Sequence, residues 1–346
     1  MDQSLDFYQS LPKVELHRHL EGSLRVETLA DIGREHNFPQ RDTSTLRPLV
    51  QIGEDEPHTF ENFLSKFAIL RLFYRTPDVI GRITREAIAD AAADNIRYIE
   101  LRFTPVALSK AEGFPLGHVM DWVVDGALAG QEQYGVVTRL IASVNRHESP
   151  DLAEQVVWLA MERKNRGIIG LDLAGNEAKF PAQPFEGIFL EAKQEGLGIT
   201  IHAGEWAGAE NVVEAITEFG STRIGHGVRV MENETAVALA RERKTVFEVC
   251  ITSNHQSGVV KHLRQHPFPQ MLKAGLNATI HTDDPSISKI TLGNEYFIAC
   301  EKLGLSLPAL SKCILSAAQA SFLPSEEKAA LVERLRSELN EKIPPA

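Results

Sequence analysis

Two histidines near the start of the chain have the spacing of a partial metal site. His17 and His19 follow an apolar run at residues 14–16 that is typical of a β-strand. Successive side chains of a strand point to opposite faces, so these two imidazoles project to the same side. Zinc binds histidine nitrogen readily, and two such ligands could share one ion. Alone the pair is a weak signal, because a His-x-His on a strand is about as often two hydrogen-bonded polar residues.

The elements that would position such ligands are strands and helices in alternation. We predict strands at residues 14–19, 96–103, 136–144, 168–173, 198–202, 223–226, 245–250 and 278–283, and helices at residues 81–94, 118–134, 151–165, 185–195, 209–219 and 233–243. Eight strands alternating with helices indicate an α/β fold, a (β/α)8 barrel of the TIM type. A doubly wound open sheet is the alternative, although no Gly-x-Gly-x-x-Gly turn follows the first strand.

Two parts of the chain do not fit the simple alternation. Residues 20–95 are too many for one crossover helix, so we expect extra helices inserted after strand 1, over the barrel mouth. Within this insertion, residues 41–57 are polar and rich in turn residues, which predicts a loop. The C-terminal part after residue 290 is predicted to be helical, with Ser325 capping its last helix. No repeat or Gly/Ser linker divides residues 1–346, which indicates a single domain.

In a barrel of this type, functional groups lie at the C-terminal ends of the strands. Five predicted strands end in polar candidates: His17 and His19, residues 172–177, His202 with Glu205, His226, and His281 with Asp283 and Asp284. Each has a structural alternative, such as a core histidine bonded to a carbonyl, a solvent-facing acid or a helix cap. Their joint occurrence favours a site, because buried His and Asp cost free energy unless they are paired or ligated.

Composition excludes several classes of partner. The 346 residues are 43% hydrophobic and carry a net charge of −11, whereas nucleic-acid binders need clustered Lys and Arg. The three cysteines form no close pair, no apolar run is long enough for a membrane helix, and the first residues do not resemble a signal peptide. We therefore expect a cytoplasmic protein with a small-molecule partner, and neither nucleic acid nor membrane.

The strand-end residues belong to longer motifs that run nearly the whole length of the chain. These are His17-x-His19-Leu-Glu-Gly, Asp172-Leu-Ala-Gly-Asn-Glu, His202-Ala-Gly-Glu205, Arg223-Ile-Gly-His226-Gly, Phe247-Glu-Val-Cys250, Thr282-Asp-Asp-Pro and Ser321-Phe-Leu-Pro-Ser-Glu-Glu-Lys328. Together they resemble the adenosine deaminase family of zinc-dependent purine deaminases. The His-x-Glu and Pro-Cys-x-x-Cys elements of cytidine-type deaminases are absent.

The resemblance implies one zinc ion per chain. His17, His19, His202 and Asp283 would bind it and leave one position for water, whose pKa zinc lowers to about 7. Relatives with two metals carry a carbamylated lysine after strand four. Residues 172–177 contain no lysine, so a single metal is the better interpretation.

The resemblance also implies roles around the purine ring. Glu205 would deliver a proton to N1, and His226 would orient the nucleophile that attacks C6. Asp284 would contact N7, and the backbone N–H of Gly175 would donate to N3. Loss of ammonia would then leave the 6-oxo purine.

Two features bear on the substrate. The family's adenosine enzymes usually carry Asp at the position of Glu21, where it contacts the ribose 5′-hydroxyl. Against this departure, Phe60, Phe63, Leu64 and Phe67 form one apolar stripe that matches the family's helix over the nucleoside pocket, although core packing would give the same spacing. We favour adenosine, with 2′-deoxyadenosine, as the substrate. Adenine or a modified adenosine such as 6-aminodeoxyfutalosine is the alternative.

His281 replaces the asparagine that is usual in the family. It lies two residues before Asp283, so we expect it to fill the barrel beneath the metal, with support of a metal ligand as the alternative. A hypothesis of another class is a purine-binding relative without catalysis. It is disfavoured because every position for a metal ligand and for the proton carrier is filled. The sequence leaves oligomeric state and metal identity open.

Overall fold

Eight parallel strands form the centre of the computed structural model, which describes residues 3–343. They are β1 (Lys13–His19), β2 (Ile96–Phe103), β3 (Val137–Asn145), β4 (Ile168–Ala174), β5 (Gly198–Ala203), β6 (Arg223–His226), β7 (Val246–Val249) and β8 (Asn277–Ile280). Each strand pairs in parallel with the next one along the chain. The predicted (β/α)8 barrel is therefore confirmed.

The last strand meets the first through residues just beyond the end of β8. The backbone N–H of His19 donates to the carbonyl of Asp283, and the N–H of Asp283 donates to the carbonyl of His17, both at 2.8 Å. This bridge closes the barrel, so the open-sheet alternative is wrong. The predicted eighth strand, residues 278–283, is too long, because Asp283 has a φ of 67° in the left-handed region and leaves the strand conformation.

Helices alternate with the strands and cover the outside of the barrel. They are Pro77–Ala93, Pro105–Ser109, Leu116–Tyr134, Pro150–Glu162, Glu186–Gln194, Ala209–Thr217, Glu234–Glu242, Ile251–Gln256 and Phe268–Lys273. Several begin at a side chain that accepts a backbone N–H, as Thr76, Ser149 and Asn233 do. The apolar core lies between these helices and the strands, where residues such as Ile88, Leu101 and Val124 are buried.

Extra helices lie between β1 and Pro77–Ala93, as predicted: Val26–Glu35, Thr43–Val50 and Phe60–Leu70. The loop predicted at residues 41–57 is wrong in part, since it contains Thr43–Val50. This short helix turns Leu46 and Val50 inward among polar residues and carries Pro48, which conceal it in the sequence. A further helix, Leu5–Ser10, precedes β1.

The chain after β8 is helical, as expected. It forms Pro285–Ser288, Leu292–Phe297, a π-helical turn at Ile298–Lys302, Leu307–Ala320 and Ser325–Lys342. Ser325 is the first helical residue and no side-chain cap forms, so its predicted capping role is wrong; Pro324 takes the cap position. Short 3₁₀ turns occur at Arg71–Phe73, Lys164–Arg166, Gln183–Phe185, Val228–Glu232 and Leu263–Gln265. Among the helices of residues 3–343, none is both long and apolar enough to cross a membrane.

Charged residues fill the inside of the barrel beneath the strand ends. Arg102 lies 2.7 Å from Glu248 and 3.3 Å from Asp172, while Arg223 lies 2.5 Å from both Glu248 and Glu100. None of these five side chains is more than 1% exposed. We call Arg102, Arg223, Glu100, Asp172 and Glu248 the ionic layer; it is the platform on which the site rests.

Candidate active site

A cavity of about 280 Å³ opens at the C-terminal ends of the strands. Ten of the residues predicted for the site line it: His19, Glu21, Phe63, Phe67, Gly175, His202, Glu205, His226, Asp283 and Asp284. His17 lies beneath them and is fully buried. Phe60 does not line the cavity; its ring packs 5.3 Å from that of Trp206, which does.

The four predicted metal ligands converge at the base of this cavity. The Nε2 atoms of His19 and His202 are 3.3 Å apart, and Oδ1 of Asp283 lies 3.4 Å from Nε2 of both His17 and His19. Nε2 of His17 is buried and has no hydrogen-bonding partner among the described residues. An unsatisfied imidazole nitrogen beside two more imidazoles and a carboxylate is the donor set that zinc takes.

Carboxylates outside the cluster orient two of these rings. Nδ1 of His17 lies 2.8 Å from Glu248, and Nδ1 of His202 lies 2.9 Å from Asp172. An ionised carboxylate only accepts, so each ring carries its proton on Nδ1 and turns the lone pair of Nε2 toward the cluster. Ser253 donates to Oδ2 of Asp283 at 2.6 Å. The ligands are therefore held from outside the cavity.

Gly225 of β6 makes room for these rings. A Cβ at this position would lie 2.8 Å from a ring carbon of His17 and 3.3 Å from one of His202. No real Cβ approaches a ring carbon as closely as the first distance, so a side chain would displace His17. The Gly225-His226 pair thus combines space for one imidazole with the placement of another.

His226 lies close to the same cluster. One possible ligand atom from each of four residues lies within 4.8 Å of the other three; the residues are His226, His17, His202 and Asp283. Nε2 of His226 is 3.7 Å from Oε2 of Glu205 and 3.8 Å from Oδ2 of Asp283, distances too long for hydrogen bonds. Its backbone is left-handed, with a φ of 58°, as often occurs where a side chain is aimed into a site.

Glu205 is a buried carboxyl group without a compensating partner. It is 6% exposed, and no residue of the described chain hydrogen-bonds its side chain. Burial, together with the negative charges of Asp283 and Glu177, raises the pKa of Glu205 well above its ordinary value. This environment favours the protonated form of Glu205, which is the form able to donate a proton.

The loop that carries Glu205 is tied to one carboxylate. Glu177 accepts the backbone N–H groups of Gly204, Glu205, Trp206 and Ala207, at 3.0, 2.6, 2.7 and 3.0 Å. Gly204 allows this ring of donors because its φ is 67°. In the sequence Glu177 ends the Asp172-Leu-Ala-Gly-Asn-Glu motif, with no predicted role. The loop's conformation, which decides that role, is not visible in the sequence.

Asp284 lies over Gly22. A Cβ on Gly22 would fall 1.8 Å from Oδ1 of Asp284, so only glycine permits this placement. Oδ1 is buried without a hydrogen-bonding partner in the described chain. Burial, and then the charges of Asp283, Glu21 and Glu205, raise the pKa of Asp284 well above its ordinary value. As at Glu205, this environment favours the protonated form of the carboxyl group.

Only one of the two carboxyl oxygens of Glu21 has a hydrogen-bonding partner among the described residues. Oε1 accepts the backbone N–H of Thr104 at 2.5 Å, whereas Oε2 is buried and has no partner among residues 3–343. Burial raises the pKa of Glu21, although the bond from Thr104 and the charge of Arg71 oppose the shift. One oxygen thus remains for a polar group of a ligand.

Gly175 and the aromatic helix complete the cavity. Gly175 has a φ of 96°, which a side chain would strain, and it follows directly on β4. Phe63 and Phe67 of the Phe60–Leu70 helix line the opening. The sequence predicted no role for five further polar lining residues, because single polar residues in turns and at strand ends carry no periodic signal; they are Arg71, Thr104, Asn145, His147 and Asn176.

His281 lies outside the cavity. Its Nε2 is 2.8 Å from Thr279 Oγ1 and its Nδ1 is 3.0 Å from Glu15 Oε1, and the side chain is fully buried. It has no contact with a metal ligand among these bonds. This placement agrees with the expected packing role rather than with the alternative of supporting Asp283.

Comparisons with known proteins agree with the geometry. A model of the family described as adenosine deaminase matches residues 12–338. The adenosine deaminase of Erwinia tasmaniensis is 38% identical over 327 residues, 94% of this chain and 98% of that protein. The structure of adenine deaminase from Arthrobacter aurescens superposes with a TM-score of 0.87 at 27% identity, covering 94% and 98% of the two chains. Arabidopsis ADAL complexed with IMP gives 0.87 at 27% identity, covering 98% and 100%.

Proposed function

The chain belongs to the adenosine deaminase family, and we propose that this hydrolytic deaminase converts adenosine, and 2′-deoxyadenosine, to the 6-oxo nucleoside and ammonia. The observation that carries the proposal is the buried Glu205, whose pKa is raised, beside a cluster of imidazoles and a carboxylate. Deamination at C6 needs both: a proton for N1 and an activated water.

One zinc ion per chain is part of the proposal. His17, His19, His202 and Asp283 would hold it, and the orphaned Nε2 of His17 supports this donor set. When bound, zinc supplies a water activated for attack at neutral pH.

Glu205 holds the proton that the purine needs. The ring accepts a nucleophile at C6 more readily once N1 is protonated, and a carboxyl group with a raised pKa can supply that proton. His226, whose Nε2 lies 3.7 Å from Oε2 of Glu205, would hydrogen-bond the oxygen being added at C6.

Two further groups orient the base. N7 of a purine is an acceptor, so it needs a donor, and the raised pKa of Asp284 favours the protonated carboxyl group that would supply one. The backbone N–H of Gly175 would donate to N3. Together with Glu205 at N1, these contacts would bind three ring nitrogens. Other amines lack this set of acceptors, so the contacts would select a purine.

The nucleoside part of the proposal rests on Glu21. Glu21 lines the cavity, and its Oε2, which has no partner among the described residues, could accept the ribose 5′-hydroxyl. Asn145, His147 and Asn176 add polar groups to the same lining. The alternative is adenine as substrate, favoured by Glu21 in place of the usual Asp and by the structural likeness to an adenine deaminase.

The test compares initial rates on adenosine, 2′-deoxyadenosine, adenine and 6-aminodeoxyfutalosine, for the wild type and Glu21→Ala. If Glu21 binds the ribose, the substitution lowers kcat/KM for adenosine by roughly 10- to 150-fold, which is the value of a hydrogen bond to a charged group of about 1.5–3 kcal/mol. Turnover of adenine should be nearly unchanged, since adenine has no ribose.

Equal losses on both substrates would assign Glu21 a structural role, and a wild type that prefers adenine would overturn the nucleoside proposal. His202→Ala provides the control for the metal: zinc content and activity should disappear together. We also propose a cytoplasmic location, as the sequence predicts.

A further inference from the structure

On the side away from the cavity, His226 is bonded to Asn254, which is bonded in turn to His266, and the proposed function uses neither of these two residues. Asn254, in the helix after β7, lies with Nδ2 3.0 Å from Nδ1 of His226. His266, just before the Phe268–Lys273 helix, lies with Nε2 3.3 Å from Oδ1 of Asn254. All three side chains are at most 1% exposed, so no bulk solvent competes for these bonds.

The side chains of His226, Asn254 and His266 form a hydrogen-bonded series, which we call the relay. The direction of each hydrogen bond in it follows from the contact that His266 makes with the backbone. The backbone N–H of Phe268 lies 3.1 Å from Nδ1 of His266. A backbone N–H can only donate, so Nδ1 of His266 is the acceptor and its proton is on Nε2. Burial lowers the pKa of His266 to about 3, which agrees with a neutral ring.

The same logic continues to the cavity. Nε2–H of His266 donates to Oδ1 of Asn254, which fixes the orientation of the amide. The amide nitrogen of Asn254 therefore faces His226 and donates to its Nδ1. Because Nδ1 of His226 accepts, the proton of the neutral ring is on Nε2, which points to the cavity.

This assignment separates His226 from the zinc ligands. His17 and His202 face carboxylates through Nδ1, so their Nε2 atoms carry free lone pairs. His226 faces an amide donor instead, so its Nε2 carries a hydrogen and cannot bind a cation. Proximity alone does not make this distinction, because all three rings lie within the same cluster.

We propose that His266 and Asn254 are positioning residues that hold His226 in its Nε2–H form, as a hydrogen-bond donor to the oxygen added at C6. The catalytic half of this inference rests on the proposed function, whereas the tautomer does not. An imidazole with its proton on Nδ1 would turn a lone pair toward that oxygen and repel it.

The direct test is the ¹⁵N NMR spectrum of the zinc-loaded enzyme labelled at histidine, with His226 assigned by its loss in His226→Gln. We expect a protonated, pyrrole-like Nε2 and a pyridine-like Nδ1. A spectrum with the proton on Nδ1, or with Nε2 bound to metal, would overturn the relay. This result does not depend on turnover.

Kinetics of paired variants test the consequence. His266→Phe keeps a ring but removes both nitrogens, so kcat should fall by roughly 10- to 100-fold, with zinc content retained and KM within about threefold. His266→Gln keeps an N–H for Asn254 and should recover most of the loss. His255→Phe is the matched control on the helix of Asn254: Nδ1 of His255 contacts the carbonyl of Val260, and kcat should be unchanged.

Equal impairment of His266→Phe and His266→Gln, or wild-type kcat in both, would contradict the relay. If His266→Phe does not fold, the wild-type NMR spectrum still tests the tautomer of His226. His226→Gln separates this inference from the proposed function: full turnover of that variant would remove the catalytic role of His226, whatever its tautomer.

Discussion

Two buried glutamates in the same barrel have opposite environments. Glu248, in the ionic layer, is bonded to His17, Arg102, Thr200 and Arg223. Although burial alone would raise its pKa, the two arginines and His17 hold the pKa of Glu248 well below its ordinary value. Glu205, by contrast, has negative neighbours, and its pKa is raised well above the ordinary value.

The difference shows how one fold divides structural from chemical work among identical side chains. A carboxylate surrounded by donors stays ionised and fixes geometry. A buried carboxyl group whose neighbouring cations do not offset its burial has a raised pKa and holds a proton more readily. The cavity carboxyls, by which we mean Glu21, Glu205 and Asp284, all have raised pKa values, and each lies at the cavity rather than beneath it.

The largest expected effect comes from removing the acidic proton of Glu205. Glu205→Gln should lower kcat by roughly 10²–10⁴-fold, because a general acid contributes that much, while zinc content stays at the wild-type level. Turnover and metal content of the purified variant are the measurements. Glu210→Gln, an exposed acid in the following helix, is the control and should behave as wild type. Near-normal turnover of Glu205→Gln would mean that the proton comes from elsewhere.

Removing a paired carboxylate should affect folding. Glu248→Gln leaves Arg102 and Arg223 with less compensation in a buried site, so the free energy of unfolding should fall by about 3–5 kcal/mol. Urea denaturation of the metal-free proteins measures it. Glu333→Gln breaks an exposed pair with Arg336 and should change stability little. A Glu248→Gln protein as stable as wild type would contradict the structural role of the ionic layer.

A smaller effect is expected for Glu295. This buried acid accepts hydrogen bonds, as Glu248 does, but its pKa is raised, as that of Glu205 is. Burial raises its pKa from 4.5 to about 7, although Thr252 bonds it. Below pH 4.5 the folded and unfolded states are both protonated. Between 4.5 and 7 only the unfolded state loses its proton, so stability falls as pH rises, by about 3 kcal/mol in total.

Glu295→Gln should remove that part of the pH dependence. Unfolding free energies at pH 5 and pH 8 should differ less in the variant than in the wild type. Because the change compares each protein with itself, any loss of the Thr252 bonds cancels. An unchanged difference between the two pH values would show that Glu295 ionises normally in the folded protein.

The sequence predicted the parts of the site that depend on strand ends. His17, His202 and His226 lie at or near the C-terminal ends of β1, β5 and β6, and Asp283 lies just beyond β8, so the barrel brings them together. The alternation of strands and helices was sufficient for the fold. Motif resemblance added the expected role of each side chain, which spacing alone cannot give.

What the sequence did not reveal depends on contacts between distant segments. Glu177 is 27 residues from Gly204, the first N–H it accepts, and the bond exists only because two loops meet. The His266 relay likewise depends on which nitrogen faces which partner. Phe60 shares the helical spacing of Phe63 and Phe67, but it packs against Trp206 and does not itself line the cavity. Periodicity cannot tell which residues of one helix face line a cavity.

The protonation state of Glu205 in the resting enzyme is the most direct test of the contrast between the two glutamates. Infrared difference spectra of wild type minus Glu205→Gln at neutral pH report it. We expect a band of a protonated carboxyl group that is lost in the variant, with no such band lost in Glu248→Gln. A carboxylate band for Glu205 instead would contradict the proposed difference between the two glutamates.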